Sequence, residues 1–149
     1  MPQSLVKNYI HITFSTKNRQ AFIDDNIKDE LFRYLGGICK NMECNPIIVG
    51  GHKDHHILCL LSRKVALMKL IEELKSHSSK WIKTKGENYQ KFYWQNGYGG
   101  FSVNSTQLDV VKNYILNQEE HHKNKSYKEE YLDLLMEKNI EYDERYIWD

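Results

Sequence analysis

The chain has 149 residues, of which 40% are hydrophobic and 28% charged, and this composition predicts one domain with an ordinary hydrophobic core. No run approaches the roughly 18 apolar residues of a membrane span. The first residues also lack the basic start and apolar block of a signal peptide, so a cytoplasmic protein without a membrane partner is expected. The three cysteines lack metal-finger spacing, and reduced, buried thiols are the expectation for that compartment.

The net charge of +1 is unevenly distributed along the chain. Residues 75–91 carry five lysines against one acid, whereas residues 126–149 carry eight acids against three basic residues. A basic middle section suits a polyanionic partner on one face of the protein. Charge alone does not distinguish this from a solvated helix face.

Hydrophobic periodicity predicts an alternation of strands and helices. Period-two alternation with β-branched residues indicates strands, and apolar residues three and four apart indicate helices. The predicted elements are a strand at 7–16, a helix at 25–43, strands at 45–49 and 54–62, a helix at 63–84, short strands at 92–94 and 101–103, and helices at 106–122 and 126–138. This order predicts an α+β fold, a ferredoxin-like antiparallel sheet with helices packed on it. We expect a single domain over 1–149, with 126–149 as a C-terminal appendage.

The predicted helix at 106–122 carries two candidate catalytic residues. Tyr114 and Gln118 are four residues apart, so they lie on one helix face, one turn from each other. A phenol nucleophile beside a neutral oxygen donor suits metal-assisted phosphoryl transfer. The simpler alternative is that Tyr114 is a half-buried packing residue, which is the usual role of a helical tyrosine.

The predicted strand at 54–62 begins with Asp54, His55 and His56. Two histidines on one face of a strand can chelate a divalent ion, but they need one residue between them. Adjacent histidines in a regular strand point to opposite faces. One buried and one exposed histidine is therefore the alternative to a metal site.

Taken together, these segments resemble the single-tyrosine HUH transposases of the insertion-sequence-200-like group. The resemblance spans nearly the whole chain, and its most specific part is WQNGYGGFSV followed by YILNQEEHH. It implies an enzyme of the bacterial cytoplasm, acting at the nucleoid, that cuts and rejoins single-stranded DNA at hairpin-marked element ends. The link formed would be a 5′-phosphotyrosine, with no nucleotide cofactor. By this resemblance Tyr114 is the nucleophile, Gln118 is a ligand of Mg²⁺ or Mn²⁺, and the protein is a homodimer.

The histidine motif of the strand at 54–62 departs from the family pattern. In the family a hydrophobic residue separates the two histidines, whereas in this chain the two histidines are adjacent, so the motif is one residue short. In one placement His55 and His56 are the two ligands, and a bulge turns them to the same side. In the other, Asp54 and His56 share a face and His55 takes the hydrophobic position. Regular strand geometry favours the second placement, and a carboxylate suits Mg²⁺ or Mn²⁺.

A third possibility is a broken metal site, which would leave a hairpin DNA- or RNA-binding remnant. A simple interaction protein that dimerises through the sheet edge and tail is a further alternative.

Basic and aromatic side chains are the candidate DNA contacts. Lysine and arginine side chains can neutralise backbone phosphates, and aromatic rings can stack on unpaired bases, although most aromatic side chains are core residues. The candidate phosphate contacts are Lys17, Arg19, Lys80, Lys83 and Lys85, and the candidate stacking residues are Trp81, Tyr93 and Trp94.

Overall fold

The computed structural model describes residues 2–17, 23–51, 54–118 and 125–149. The strands of this part are β1 (Asn8–Ser15), β2 (Asn45–Gly51), β3 (Asp54–Leu61) and β4 (Gly99–Val103). Its α-helices are α1 (Asp25–Asn41), α2 (Leu67–Lys83), α3 (Leu108–Leu116) and α4 (Tyr127–Glu137). The strands form one antiparallel sheet in the order β2-β3-β1-β4. This arrangement is a ferredoxin-like α+β fold and confirms the predicted fold class.

The two faces of the sheet have different roles because successive side chains of a strand alternate between them. On one side, which we call the core face, Ile10, Ile12 and Phe14 of β1 lie beside Ile57 and Cys59 of β3. Helices α1 and α2 pack on this face and complete the main hydrophobic core. The opposite side, which we call the site face, is covered by α3.

The ends of the helices follow from local side-chain chemistry. The Asp24 carboxylate accepts hydrogen bonds from the backbone N–H groups of Asn26 and Ile27, at 3.1 and 3.2 Å, and so caps α1. Ser126 caps α4 in the same way. Helix α2 starts at Leu67, later than the predicted residue 63, because the chain first makes a turn closed by a 3.2 Å hydrogen bond from the Val65 N–H to the Ser62 carbonyl.

The predicted strand at 92–94 is wrong. Trp94 makes only an isolated bridge with Thr16, so the alternation at these residues reflects burial and not a paired strand. Phe92 and Trp94 are buried, whereas Tyr93 between them is 62% exposed. The exposed ring of Tyr93 is therefore available to other molecules.

The C-terminal segment contacts the rest of the chain at two places. The Trp148 ring lies 5.7 Å from the Tyr131 ring of α4, and the Asp149 carbonyl accepts a 2.7 Å hydrogen bond from the Gly97 N–H. None of the helices in the described ranges has the length and apolar character needed to cross a membrane.

Candidate active site

Strand pairing brings polar residues together on the site face. Thr13 lies opposite His56, and Ser15 lies opposite Asp54 in the β1–β3 register. Residues directly opposite each other share a face, so Asp54 and His56 are side by side on the site face. His55 points to the core face.

A chain of hydrogen bonds connects three of these side chains. His11 Nε2 and His56 Nδ1 are 2.9 Å apart, and His56 Nε2 bonds Asp54 Oδ2. All three residues are buried. Burial lowers the pKa of His11 to about 3, helped by the charges of His56 and Lys138, so the His11 ring is neutral near pH 7.

Sequence patterns alone do not identify His11 as a residue of the site. Its position in the alternation of residues 7–16 was visible, since Tyr9, His11, Thr13 and Ser15 form the polar series of β1. What the sequence did not contain was the register that places this series against β3.

Helix α3 places Tyr114 over this group. The Tyr114 ring centroid lies 5.7 Å from the His56 centroid and 6.1 Å from the His11 centroid. The plane of the Tyr114 ring is nearly perpendicular to both imidazole planes. The close packing of α3 depends on Gly50 of β2, because a Cβ there would lie 3.0 Å from Ile115 Cγ2. A larger residue at position 50 would push the tyrosine helix away from the sheet.

The Tyr114 phenol is part of a buried polar cluster. Its hydroxyl donates a 3.0 Å hydrogen bond to Glu130 Oε2 of α4. Burial raises the pKa of Tyr114 above its ordinary value; the hydrogen bond with Gln118 opposes this, and the nearby Glu130 adds to it. Gln118 is 1% exposed, and its side-chain amide donates to the Tyr114 carbonyl at 3.3 Å. The structure thus brings Tyr114, Gln118, His56 and Asp54 to one side of the sheet.

His55 is separated from that group by the sheet itself. Its ring lies 4.9 Å from the Trp94 ring and 5.5 Å from the Phe32 ring, among core residues. Neither ring nitrogen has a hydrogen-bond partner within the described residues. Burial lowers the pKa of His55 to about 4. The bulge that would turn His55 toward the site is not present between residues 55 and 56, since the register of β3 with β1 is continuous.

The donors on the site face fit a divalent metal ion in chemical type. Asp54 supplies a carboxylate, His56 an imidazole and Gln118 an amide oxygen, which are donors that Mg²⁺ and Mn²⁺ accept. However, no group of three His, Cys, Asp or Glu side chains arranged to hold a metal ion occurs in the described part of the chain. Both ring nitrogens of His56 already have partners. Metal binding therefore requires His56 to exchange one of these contacts.

Sequence comparison identifies the family. The family model described as Transposase IS200 like matches residues 4–118, which is more than half of the chain. The chain belongs to the IS200-like transposase family. Its members are DNA-processing enzymes that generally use a divalent metal ion. The matched region of the transposase ends at Gln118, so it contains Tyr114 and excludes α4.

Two solved structures resemble the transposase in fold. A candidate transposase of Deinococcus radiodurans R1 has a TM-score of 0.61 and 19% identity, with 79% of this chain and 98% of that chain covered. A REP-associated tyrosine transposase bound to a REP hairpin has a TM-score of 0.59 and 13% identity, with 82% of this chain and 73% of that chain covered. At these identities the similarity shows a shared fold. No protein with a curated description matches the sequence.

Beside Tyr114 the transposase has a cavity of about 360 Å³ between the sheet, α3 and α4. Phe101 and Val111 contribute to its apolar wall, and its charged lining residues are Lys125, Glu130, Asp133, Glu137 and Lys138. This volume lies in the range of small-ligand sites, which are mostly apolar with a few polar groups.

Two of the five predicted phosphate contacts adjoin Tyr93, whose ring is exposed. The Lys17 N–H donates to the Tyr93 carbonyl at 2.8 Å, and Lys83 Nζ lies 5.1 Å from the Tyr93 ring centroid. Lys17 comes two residues after Ser15, which is paired with Asp54. This group, which we call the Tyr93 edge, therefore lies at the Asp54 end of the sheet.

Two other predicted phosphate contacts, Lys80 and Lys85, are not at that edge. Lys85 pairs with Glu30 at 3.5 Å and lies 5.0 Å from the Trp81 ring. Lys80 is exposed on α2, which packs on the core face, away from Tyr114. Arg19 lies outside the described residues.

Proposed function

We propose that this transposase cuts and rejoins single-stranded DNA with Tyr114 as the nucleophile. The observation that carries the proposal is the position of the Tyr114 phenol above the buried Asp54–His56 pair, with Gln118 one turn away. Buried polar side chains cost free energy, which a purely structural sheet face would avoid by using apolar residues. A tyrosine that served only for packing would not require them.

The reaction would be an in-line transfer of a phosphoryl group. The Tyr114 oxygen attacks the DNA phosphate, the bond to the 3′ oxygen breaks, and the 5′ side of the cut stays attached to Tyr114. A second 3′-hydroxyl can reverse the step, so neither ATP nor another nucleotide is consumed. The tyrosine–DNA bond that forms is a phosphodiester like the DNA bond that breaks, so it retains the free energy needed for rejoining.

Asp54, His56 and Gln118 are the proposed ligands of Mg²⁺ or Mn²⁺. When bound, the ion would polarise the phosphate and stabilise charge on its oxygens. His11 would hold the His56 ring through the 2.9 Å contact between their nitrogens, as outer partners of metal-binding histidines commonly do. His55 is not part of this set, because it faces the core.

The proposed substrate is single-stranded DNA that carries a hairpin. The similarity in fold to a tyrosine transposase bound to a REP hairpin supports this choice. Phosphates would contact Lys17 and Lys83, and an unpaired base would stack on Tyr93. A homodimer is also proposed, on the family resemblance.

A hairpin-binding remnant is the second candidate function. It is favoured by the absence of a three-member metal group in the described ranges and by the two occupied nitrogens of His56. Such a protein would keep the Tyr93 edge and bind DNA without cutting it.

Covalent trapping distinguishes the two functions. The protein would be incubated with Mg²⁺ or Mn²⁺ and labelled hairpin DNA from the flanks of its own gene, and the products separated on a denaturing gel. A transposase gives a metal-dependent adduct that disappears in Tyr114→Phe and persists in Tyr142→Phe, an exposed-tyrosine control. Loss of the adduct in Asp54→Ala would support the proposed ligand set. Tight binding without an adduct would identify the remnant and refute the enzyme.

A further inference from the structure

Glu130 is a buried acid outside the proposed metal-ligand set. It lies in the first turns of α4, is 7% exposed, and accepts the 3.0 Å hydrogen bond from the Tyr114 hydroxyl. Its position is outside the region matched by the family model, residues 4–118. We infer that Glu130 is the general base that takes the phenolic proton of Tyr114 during DNA cleavage. This inference rests on the proposed function.

The fold holds Glu130 in place. Helix α4 is anchored by Tyr127 and Leu135, which are 3% and 4% exposed, and is capped by Ser126. Glu129, the preceding residue, is exposed. Burying a carboxylate is costly unless it is hydrogen-bonded, so the orientation of Glu130 toward the phenol is a specific feature of the packing.

The chemistry requires such a group. A tyrosine of ordinary pKa, about 10, is ionised in only about one molecule per thousand at pH 7. As the Tyr114 oxygen forms its bond to phosphorus, the phenolic proton passes to the Glu130 carboxylate. The bond between phosphorus and the 3′ oxygen breaks, and that oxygen leaves with the electron pair and takes a proton from solvent. In the reverse reaction protonated Glu130 returns its proton to the departing Tyr114 oxygen.

A cavity of about 360 Å³ borders the Tyr114–Glu130 pair, and its lining also includes Lys125, Lys138, Asp133 and Glu137. The phenol and its hydrogen-bonded carboxylate therefore lie beside open space. A base within direct hydrogen-bond distance of the proton it removes satisfies the geometric requirement for general base catalysis.

The test is the single-turnover rate of adduct formation on hairpin DNA with saturating Mn²⁺. Glu130→Gln keeps the shape and a hydrogen-bond acceptor but is a far weaker base, so the rate should fall by about 10²- to 10⁴-fold while hairpin affinity stays unchanged. Glu130→Asp should recover part of the rate. Glu129→Gln removes one charge from the same helix and should react like the wild type.

A second readout separates proton transfer from positioning. Fluorotyrosine at position 114 has a more acidic phenol and depends less on a base, so the defect of Glu130→Gln should shrink with it. A defect of unchanged size would show that Glu130 only positions the ring and would overturn the inference. Wild-type or faster cleavage by Glu130→Gln would also overturn it, while leaving the proposed function intact. If the wild-type protein forms no adduct, the proposed function fails and this inference fails with it.

Discussion

Replacing His55 by leucine tests which residues of β3 belong to the site. His55 is fully buried on the core face, and both of its ring nitrogens are without hydrogen-bond partners among the described residues. A buried polar group without a partner costs about 1–3 kcal/mol. Leucine has a similar volume and no polar atoms. His55→Leu should therefore raise the free energy of unfolding at pH 7 by about 1–3 kcal/mol.

The effect should grow as the pH falls. The pKa of His55 is about 4 in the folded protein, against about 6.5 for an unfolded histidine. Because its folded pKa is lowered, the unfolded state binds the proton first, and the wild type loses stability as the pH falls from about 6.5 toward 4. For these two values the loss between pH 7 and pH 5 is about 2 kcal/mol. His55→Leu lacks this loss, so its advantage over the wild type should widen by about 2 kcal/mol at pH 5.

Urea unfolding of both proteins at pH 7 and pH 5, without metal ions, measures the difference directly. The titration of His11 changes the free energy of unfolding of both proteins equally, so it cancels from the difference between them. Metal-dependent adduct formation should be retained in His55→Leu, because the proposed ligands are on the other side of the sheet. A destabilised variant, or an advantage that does not change with pH, would refute the burial argument. Loss of cleavage in a folded variant would instead favour His55 as a ligand.

Three further predictions concern the site and its approaches. Asp54→Asn should raise the Mn²⁺ concentration for half-maximal adduct formation at least about 10-fold, the lower end of what changes around metal ligands cost; an unchanged metal titration would remove Asp54 from the ligand set. Lys17→Ala should reduce the slope of log affinity against log salt by about one, with Lys40→Ala on α1 as the control, and equal slopes would contradict a phosphate contact. Gly50→Ala should slow cleavage about 10-fold by shifting α3, since misplacement by about 1 Å can cost 100-fold, while hairpin affinity stays constant; an unchanged rate would show that the helix position tolerates the added methyl group.

The fold was accessible from the sequence because its signals are local. Alternation over residues 7–16 and the helical spacing of Ile27, Leu31 and Leu35 each depend on a few neighbours, and the structure confirms both elements. The strand predicted at 92–94 is wrong because alternating burial also occurs in a loop that lies against the core. Three residues cannot show whether a pairing partner exists.

The site was only partly accessible, since its geometry depends on contacts distant in sequence. Tyr114 and Gln118 are four residues apart, and a continuous helix over 106–122 would place them on one face. In the structure α3 ends at Leu116, and Gln118 lies beyond its end and contacts Tyr114 through the hydrogen bond from its side-chain amide to the Tyr114 carbonyl. His11 and Glu130 are different, because they meet His56 and Tyr114 only after the sheet and α4 have packed. No local rule of sequence spacing points to either contact.

The phase of β3 explains why the shortened histidine motif presents a carboxylate. Shifting a strand by one residue would turn its whole apolar series to the wrong face. Ile57 and Cys59 are both fully buried in the core, so the strand cannot change phase without exposing them to the site face. With those two residues fixed, His55 must face the core, and Asp54 must join His56 on the site face. The structure therefore places Asp54, two residues before His56, on the site face.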